Sequence, residues 1–146
     1  MDSIRIFGYK SFKKLSVQLH PINLLIGANG AGKSNFLSLF EMLGNIYEKR
    51  LGAYVAQVGG VDKLLYQGRK VTDRIAVNLL IAKSEYDLAL LESDGKLIVE
   101  REVVGCYDDV CPLDLVRKNV ITEFQSESSL KDHKEEDLSN YISQIR

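Results

Sequence analysis

The sequence predicts an α/β fold, and three observations carry that expectation. The string Gly27-Ala28-Asn29-Gly30-Ala31-Gly32-Lys33-Ser34 fits the phosphate-binding loop pattern G-x-x-x-x-G-K-[ST] (Walker A) at every fixed position. Ahead of it stands Ile22-Asn23-Leu24-Leu25-Ile26, an apolar run of the kind expected for a strand buried on both faces of a parallel sheet. Behind it, Phe36, Leu37, Leu39, Phe40, Leu43, Ile46 and Tyr47 recur at three- and four-residue spacing, one face of a helix starting near Lys33.

The residue types in the loop suit a polyphosphate. Several backbone N–H groups must point inward there, and Gly27, Gly30 and Gly32 supply the dihedral freedom and close approach this needs. A helix beginning at Lys33 adds unpaired N–H groups and the positive end of its dipole. Lys33 is placed to reach the β- and γ-phosphates, and the Ser34 hydroxyl to ligate a bridging Mg²⁺. The candidate nucleotide-binding set in the loop is therefore Gly27, Asn29, Gly30, Ala31, Gly32, Lys33 and Ser34, with ATP and Mg²⁺ as the expected ligands.

Two strands of period two precede the loop. Ile4 and Ile6 alternate with Arg5, and Leu15, Val17 and Leu19 alternate with Ser16, Gln18 and His20. The glycine-led, lysine-rich stretch Gly8 to Lys14 between them reads as the turn of an antiparallel pair, and Pro21 closes the second strand. Composition alone makes that basic turn a solvated hairpin end. After the helix, Gly52 to Gly60 is mixed, and Gly59-Gly60 breaks the chain before a turn or two of helix over Val61 to Tyr66. Strands follow over Arg74 to Ala82, Tyr86 to Glu92 and Lys96 to Val104, the last two joined by the hairpin signal Asp94-Gly95. Gly105 to Phe124 carries no clear pattern, and Pro112 rules out a continuous helix across it. Gln125 to Asp137 reads as a polar loop, and Leu138, Tyr141, Ile142 and Ile145 as a closing helix. The chain divides into a nucleotide-binding core over 1–70 and an antiparallel β-subdomain with loop and helix over 71–146, together one incomplete domain.

Composition excludes several classes. The 146 residues carry 19 Lys plus Arg and 20 Asp plus Glu, net charge −1, so no global basic field advertises nucleic acid. No leader or long apolar span is seen, and a cytoplasmic protein without membrane contact is expected. Cys106 and Cys111 are not spaced as Cys-x-x-Cys, and with His20 and His133 far apart they make no zinc set; two reduced thiols are expected.

Hydrolysis needs more than the loop: a second strand ending in an acid for the metal, and a group to activate water. Leu88 to Glu92 is better explained as a hairpin arm, and Val103 to Asp109 contains a glycine and a cysteine that make a poor core strand. No catalytic residue is identified. The guanine-recognition string Asn-Lys-x-Asp is also absent, as is the Arg-rich lid of a small-molecule phosphotransferase.

Ile4-Arg5-Ile6, the turn Gly8-Tyr9-Lys10-Ser11-Phe12-Lys13-Lys14, and Leu25 through the loop to Asn35-Phe36 together resemble the N-terminal lobe of ABC-type ATPases of the RecF and SMC class. The similarity is greatest to the bacterial AAA-family predicted ATPases, and it extends through Gly59 to Lys70 and the strands after it. It covers Met1 to about Val104. The resemblance implies a P-loop NTPase fold with an antiparallel β-subdomain, and brings Lys10, Ser11 and Phe12, with Asn35, to the nucleotide. It also offers Gln125 as a second Mg²⁺ contact. The signature motif, second acidic strand and switch histidine of that class lie beyond the matched region. Leu138-Ser139-Asn140-Tyr141 begins like a signature without its glycine. The expectation is an ATP-binding lobe that works with a missing C-terminal lobe, in a possible head-to-head homodimer, hydrolysing Mg-ATP for DNA maintenance or phage defence. A non-hydrolysing, nucleotide-dependent protein-interaction module is the alternative.

Overall fold

A computed structural model describes residues 2–81, 84–106 and 119–128. Its centre is one six-stranded sheet in the order β2-β1-β3-β4-β5-β6, antiparallel at every pairing. The strands are β1 (Asp2–Tyr9), β2 (Phe12–Leu19), β3 (Arg74–Ile81), β4 (Ser84–Ser93), β5 (Lys96–Cys106) and β6 (Asn119–Gln125). Two helices, α1 (Lys33–Tyr47) and α2 (Leu51–Gln57), and a 3₁₀ turn over Val61–Lys63 complete the described elements.

The register explains why the apolar residues alternate as they do. Ile4 faces Leu79 and Ile6 faces Val77; Val77 in turn faces Leu88, Leu79 faces Tyr86, and Leu90 faces Val99. Each of these side chains is buried, so one continuous apolar face crosses four strands. Phe36, Leu39, Met42, Leu43 and Ile46 of α1 and Leu51, Tyr54 and Val55 of α2 join the same cluster, making two layers around one core. The opposite face of the sheet is mixed, with Phe7, Leu80 and Leu91 among its charged and polar pairs. Arg101 pairs with Asp87 at 2.7 Å, Arg74 with Glu100 at 2.6 Å, and Asn78 donates to Glu85 at 2.7 Å.

A bulge changes what β5 buries. Ala89 faces Arg101 but Leu90 faces Val99, so Glu100 is an extra residue in β5. The extra residue reverses the alternation, and the inward positions pass from Leu97 and Val99 to Glu102 and Val104. Glu102 is thereby carried into the core, where its Oε1 accepts from Tyr86 Oη and Ser128 Oγ, each at 2.6 Å. Burial and the neighbouring carboxylate push the Tyr86 hydroxyl well above its ordinary pKa.

The strands β1 to β5 and the start of α1 lie where the sequence places them, and the turn at Asp94 and Gly95 has positive φ at both residues, as a tight hairpin demands. Five details differ. Residues 22–26 form no strand: Ile22, Leu24 and Ile26 are more than four-fifths or about four-fifths exposed, and Leu25 is 42% exposed. A strand needs a ladder partner, and residues 22–26 pair with no strand among the described residues. The turn between β1 and β2 is only Lys10-Ser11, since Tyr9 already faces Phe12. The mixed stretch after α1 is helical because Leu51, Tyr54 and Val55 share a face, and β6 arises in the segment without a clear pattern. Finally, β5 continues through Gly105 to Cys106, glycine notwithstanding, on a run of pairs with β4. Cys111, His133 and the stretch Leu138 to Ile145 lie outside the described residues.

Candidate functional site

The glycine loop Gly27 to Ser34 is positioned from two sides. From the C-terminal side, α1 begins at Lys33, with Gly32 at its N-cap in the left-handed region at φ 92°. An L side chain is strained there, and a Cβ on Gly32 would stand 3.1 Å from the Phe12 ring and 3.2 Å from Ser11 Oγ. No side chain caps this end and its first turn holds no acidic residue, which leaves it suited to an anion. From the other side comes the β1–β2 turn. Phe12 packs on Gly32, and Asn35 Nδ2 donates to Ser11 Oγ at 2.9 Å.

Within the loop, Lys33 Nζ donates to the carbonyls of Gly27 at 2.6 Å and Ala28 at 2.8 Å. The ammonium thus lies across the loop it would share with a phosphate. Asn29, Gly30, Gly32, Lys33, Ser34 and Asn35 line a hollow of about 350 Å³. Ala31 N–H donates to Ala28 O and closes the turn. Each of the loop residues singled out from the sequence takes part in this cradle or its closure.

A larger basin of about 880 Å³ adjoins it, with Asn35 lining both and Ser11 on the basin side. Its position follows from a switch of partner by β1. At Phe7 the pairing with β3 ends; Gly8 O then accepts from Tyr66 N at 2.9 Å, and Lys10 N donates to Leu64 O at 2.7 Å. Gly8 makes the switch possible, at φ 72° and with Arg74 O only 2.1 Å from where a Cβ would sit. Residues 59–70 are thereby laid beside the turn. Lys10, Lys63, Arg69 and Lys70 line the basin together with one carboxylate, Asp62. That carboxylate accepts from Arg69 N–H at 2.9 Å and faces Arg69 Nε at 3.4 Å. Four cations against one engaged acid give the basin positive potential.

Lys10 itself is held. Its Nζ donates to Ser38 Oγ at 2.7 Å and lies 5.5 Å from the centre of the Tyr9 ring. Loss of hydration holds the ammonium below the usual lysine pKa, and the Glu41 charge offsets part of this. Tyr9, buried, meets Ser38 Oγ at 3.0 Å, and burial raises its hydroxyl far above the ordinary value. Ser38 carries no motif, but it stands four residues after Ser34 on the same face of α1, a spacing that would have flagged it.

Gln125 is elsewhere. It closes β6 opposite Val99, two residues before Glu127, whose carboxylate accepts from the N–H groups of Leu51 and Gly52 at 3.0 and 3.4 Å. That end of α2 adjoins the C-terminus of α1, where Arg50 N–H donates to Asn45 O. Ser34 lies in the first turn of α1, whose fifteen residues span roughly 22 Å. The structure does not bring Gln125 and Ser34 together. Among the described residues no group of three or more His, Cys, Asp or Glu could hold a metal ion.

A glycine loop opens an uncapped helix, with a lysine across it and a basic hollow alongside, an arrangement suited to an anion. The family model described as AAA ATPase domain matches residues 1–145, and the chain belongs to that family. Membership brings nucleotide binding and ATPase function, with Mg²⁺ the usual companion ion. No curated protein and no solved structure matches the chain. No helix among the described residues is long and apolar enough to cross a membrane.

Proposed function

We propose that this chain is the nucleotide-binding lobe of an ABC-type, RecF/SMC-like ATPase with a P-loop NTPase core. The triphosphate rests on Gly27 to Ser34, the Ser34 hydroxyl takes Mg²⁺, and the nucleoside end enters the basin beside Lys10. The observation that carries this reading is the meeting of the β1–β2 turn with the loop: Phe12 against Gly32 and Ser11 bonded to Asn35. Two separate segments converge there beside a hollow whose described lining has donors and no acid. The exposed run 22–26 supports a further, C-terminal lobe that covers it and supplies the water-activating half. Pairing of two such heads, DNA as a partner and a cytoplasmic role in DNA maintenance or phage defence are the broader form of the proposal, by analogy of fold.

Calorimetric titration with Mg-ATP tests the core of it. Binding by the wild-type chain and at least tenfold weaker binding by Lys33→Ala is expected, since a charge-assisted bond contributes about 1.5–3 kcal/mol. No binding by the wild type overturns it. ATP turnover by this chain alone, lost in Lys33→Ala, would contradict the claim that the site is half of one. A non-hydrolysing interaction module is the second reading, favoured by the same apolar run standing open beside the loop. Binding without turnover by a longer protein that contains the second acidic strand would select it.

A further inference from the structure

Ser38 is not part of the phosphate loop, yet three groups converge on its one hydroxyl. Lys10 Nζ lies at 2.7 Å, Tyr9 Oη at 3.0 Å and the Asn35 carbonyl at 2.9 Å. A hydroxyl has one proton and two acceptor positions. The ammonium has only donors, and the Asn35 carbonyl only accepts, so Ser38 gives its proton to Asn35 O and receives from Lys10. Tyr9 must then donate, and the hydroxyl is saturated. Tyr54 Oη adds a contact to the Ser38 carbonyl at 3.3 Å. The residue is thus fixed from β1, from α2 and from its own helix.

We infer that Ser38 is the positioning residue for Lys10, holding its ammonium at the junction of the phosphate loop and the basin so that its remaining donors face the nucleotide. This rests on the nucleotide-binding reading above. Among the described residues Ser38 Oγ is the only hydrogen-bond acceptor of that ammonium, which leaves two N–H donors for a ligand. A free lysine side chain loses considerable rotamer entropy on meeting a phosphate or ribose oxygen; one already anchored has lost it beforehand. The backbone reinforces the anchoring, because Lys10 sits at φ 46° in a two-residue turn, with its N–H on Leu64 O. Ser38 therefore reports the state of β1 and residues 59–66 to the first turns of α1, where the triphosphate would bind.

The test is a double-mutant cycle read by Mg-ATP affinity, with thermal melts to confirm folding. Ser38→Ala is expected to weaken binding about threefold to tenfold, in the range of coupling between contacting residues. In the Lys10→Ala background the same change should have no further effect. Ser38→Thr, which keeps the hydroxyl, should restore affinity to within about twofold of the wild type, a rescue that a purely structural role does not require. An equal loss with and without Lys10, a gain in affinity in Ser38→Ala, or no rescue by a folded Ser38→Thr overturns the inference. Lys33→Ala runs in parallel: if it binds Mg-ATP as tightly as the wild type, the nucleotide reading itself has failed, whatever Ser38 does.

Discussion

Asn35 Nδ2 donates to Ser11 Oγ at 2.9 Å, joining the first turn of α1 to the turn between β1 and β2 across 24 positions of sequence. The bond is exposed, so its net worth to folding is small, about 0.5–1.5 kcal/mol at most. It also fixes Asn35, which lines both the loop's hollow and the basin.

Substitution at Asn35 should therefore separate stability from binding. Asn35→Asp removes the donor and sets a carboxylate in the first turn of α1, which now holds no acid. Helix-dipole physics favours a negative charge there, by roughly 0.3–1 kcal/mol. A phosphate at the same helix end would be repelled. The expected outcome is an unchanged or higher melting temperature together with Mg-ATP affinity lower than in Asn35→Ala. Melts and titrations on the two variants check it; equal affinities would place the anion away from α1.

Gly8 is the second point of leverage. At φ 72°, with Arg74 O 2.1 Å from a built Cβ, it has no room for any side chain. Gly8→Ala is expected to destabilise the chain by more than about 2 kcal/mol, from the left-handed backbone and the clash together. The neighbouring pairs Tyr66 N to Gly8 O and Lys10 N to Leu64 O should loosen with it. Hydrogen exchange at the amides of Lys10 and Tyr66 reads this directly, and protection as in the wild type would refute it.

What the sequence disclosed and what it concealed follow from the range of the forces concerned. Local signals were legible: the loop pattern, the start of α1 at Lys33, the alternation of Ile4 and Ile6, the Asp94-Gly95 hairpin. The second partner of β1 was not, because β3 lies some seventy residues on and no local period names a neighbour. Glu102 in the core could not be foreseen without the bulge that reverses β5. Composition marks the apolar run at 22–26 as a buried strand because it says what a segment would bury, and not whether a partner is present.

Alkaline pH should expose the buried tyrosines. The hydroxyls of Tyr86 and Tyr9 are both raised from 10.0 in the folded chain, chiefly by burial. Below pH 10 they are protonated whether the chain is folded or not, and their stabilising contribution is complete. As the pH rises past 10 the unfolded chain releases these protons and the folded one does not, so stability falls. The slope is about 1.4 kcal/mol per pH unit for each such group. Denaturant melts between pH 9 and 11.5 should show the decline, and Tyr86→Phe should make it shallower. At neutral pH the same variant should cost about 1–3 kcal/mol, since it leaves Glu102 Oε1 without the Tyr86 donor.

The open run before the loop gives the sharpest contrast between composition and environment. Leu24 and Ile26 are 80% and 82% exposed, whereas Leu39, on the buried face of α1, is fully buried. Apolar type is the same; burial is opposite. Leu39→Ala is expected to cost about 2–5 kcal/mol through lost transfer energy and the cavity left behind. The pair Leu24→Ser and Ile26→Ser, made together, should change stability by less than about 1 kcal/mol, because each side chain already faces solvent. Contiguous exposed apolar surface also promotes association, so the double variant should sediment with less self-association than the wild type. If the double variant melts as early as Leu39→Ala, residues 22–26 are packed in this chain, and no further lobe is needed to cover them.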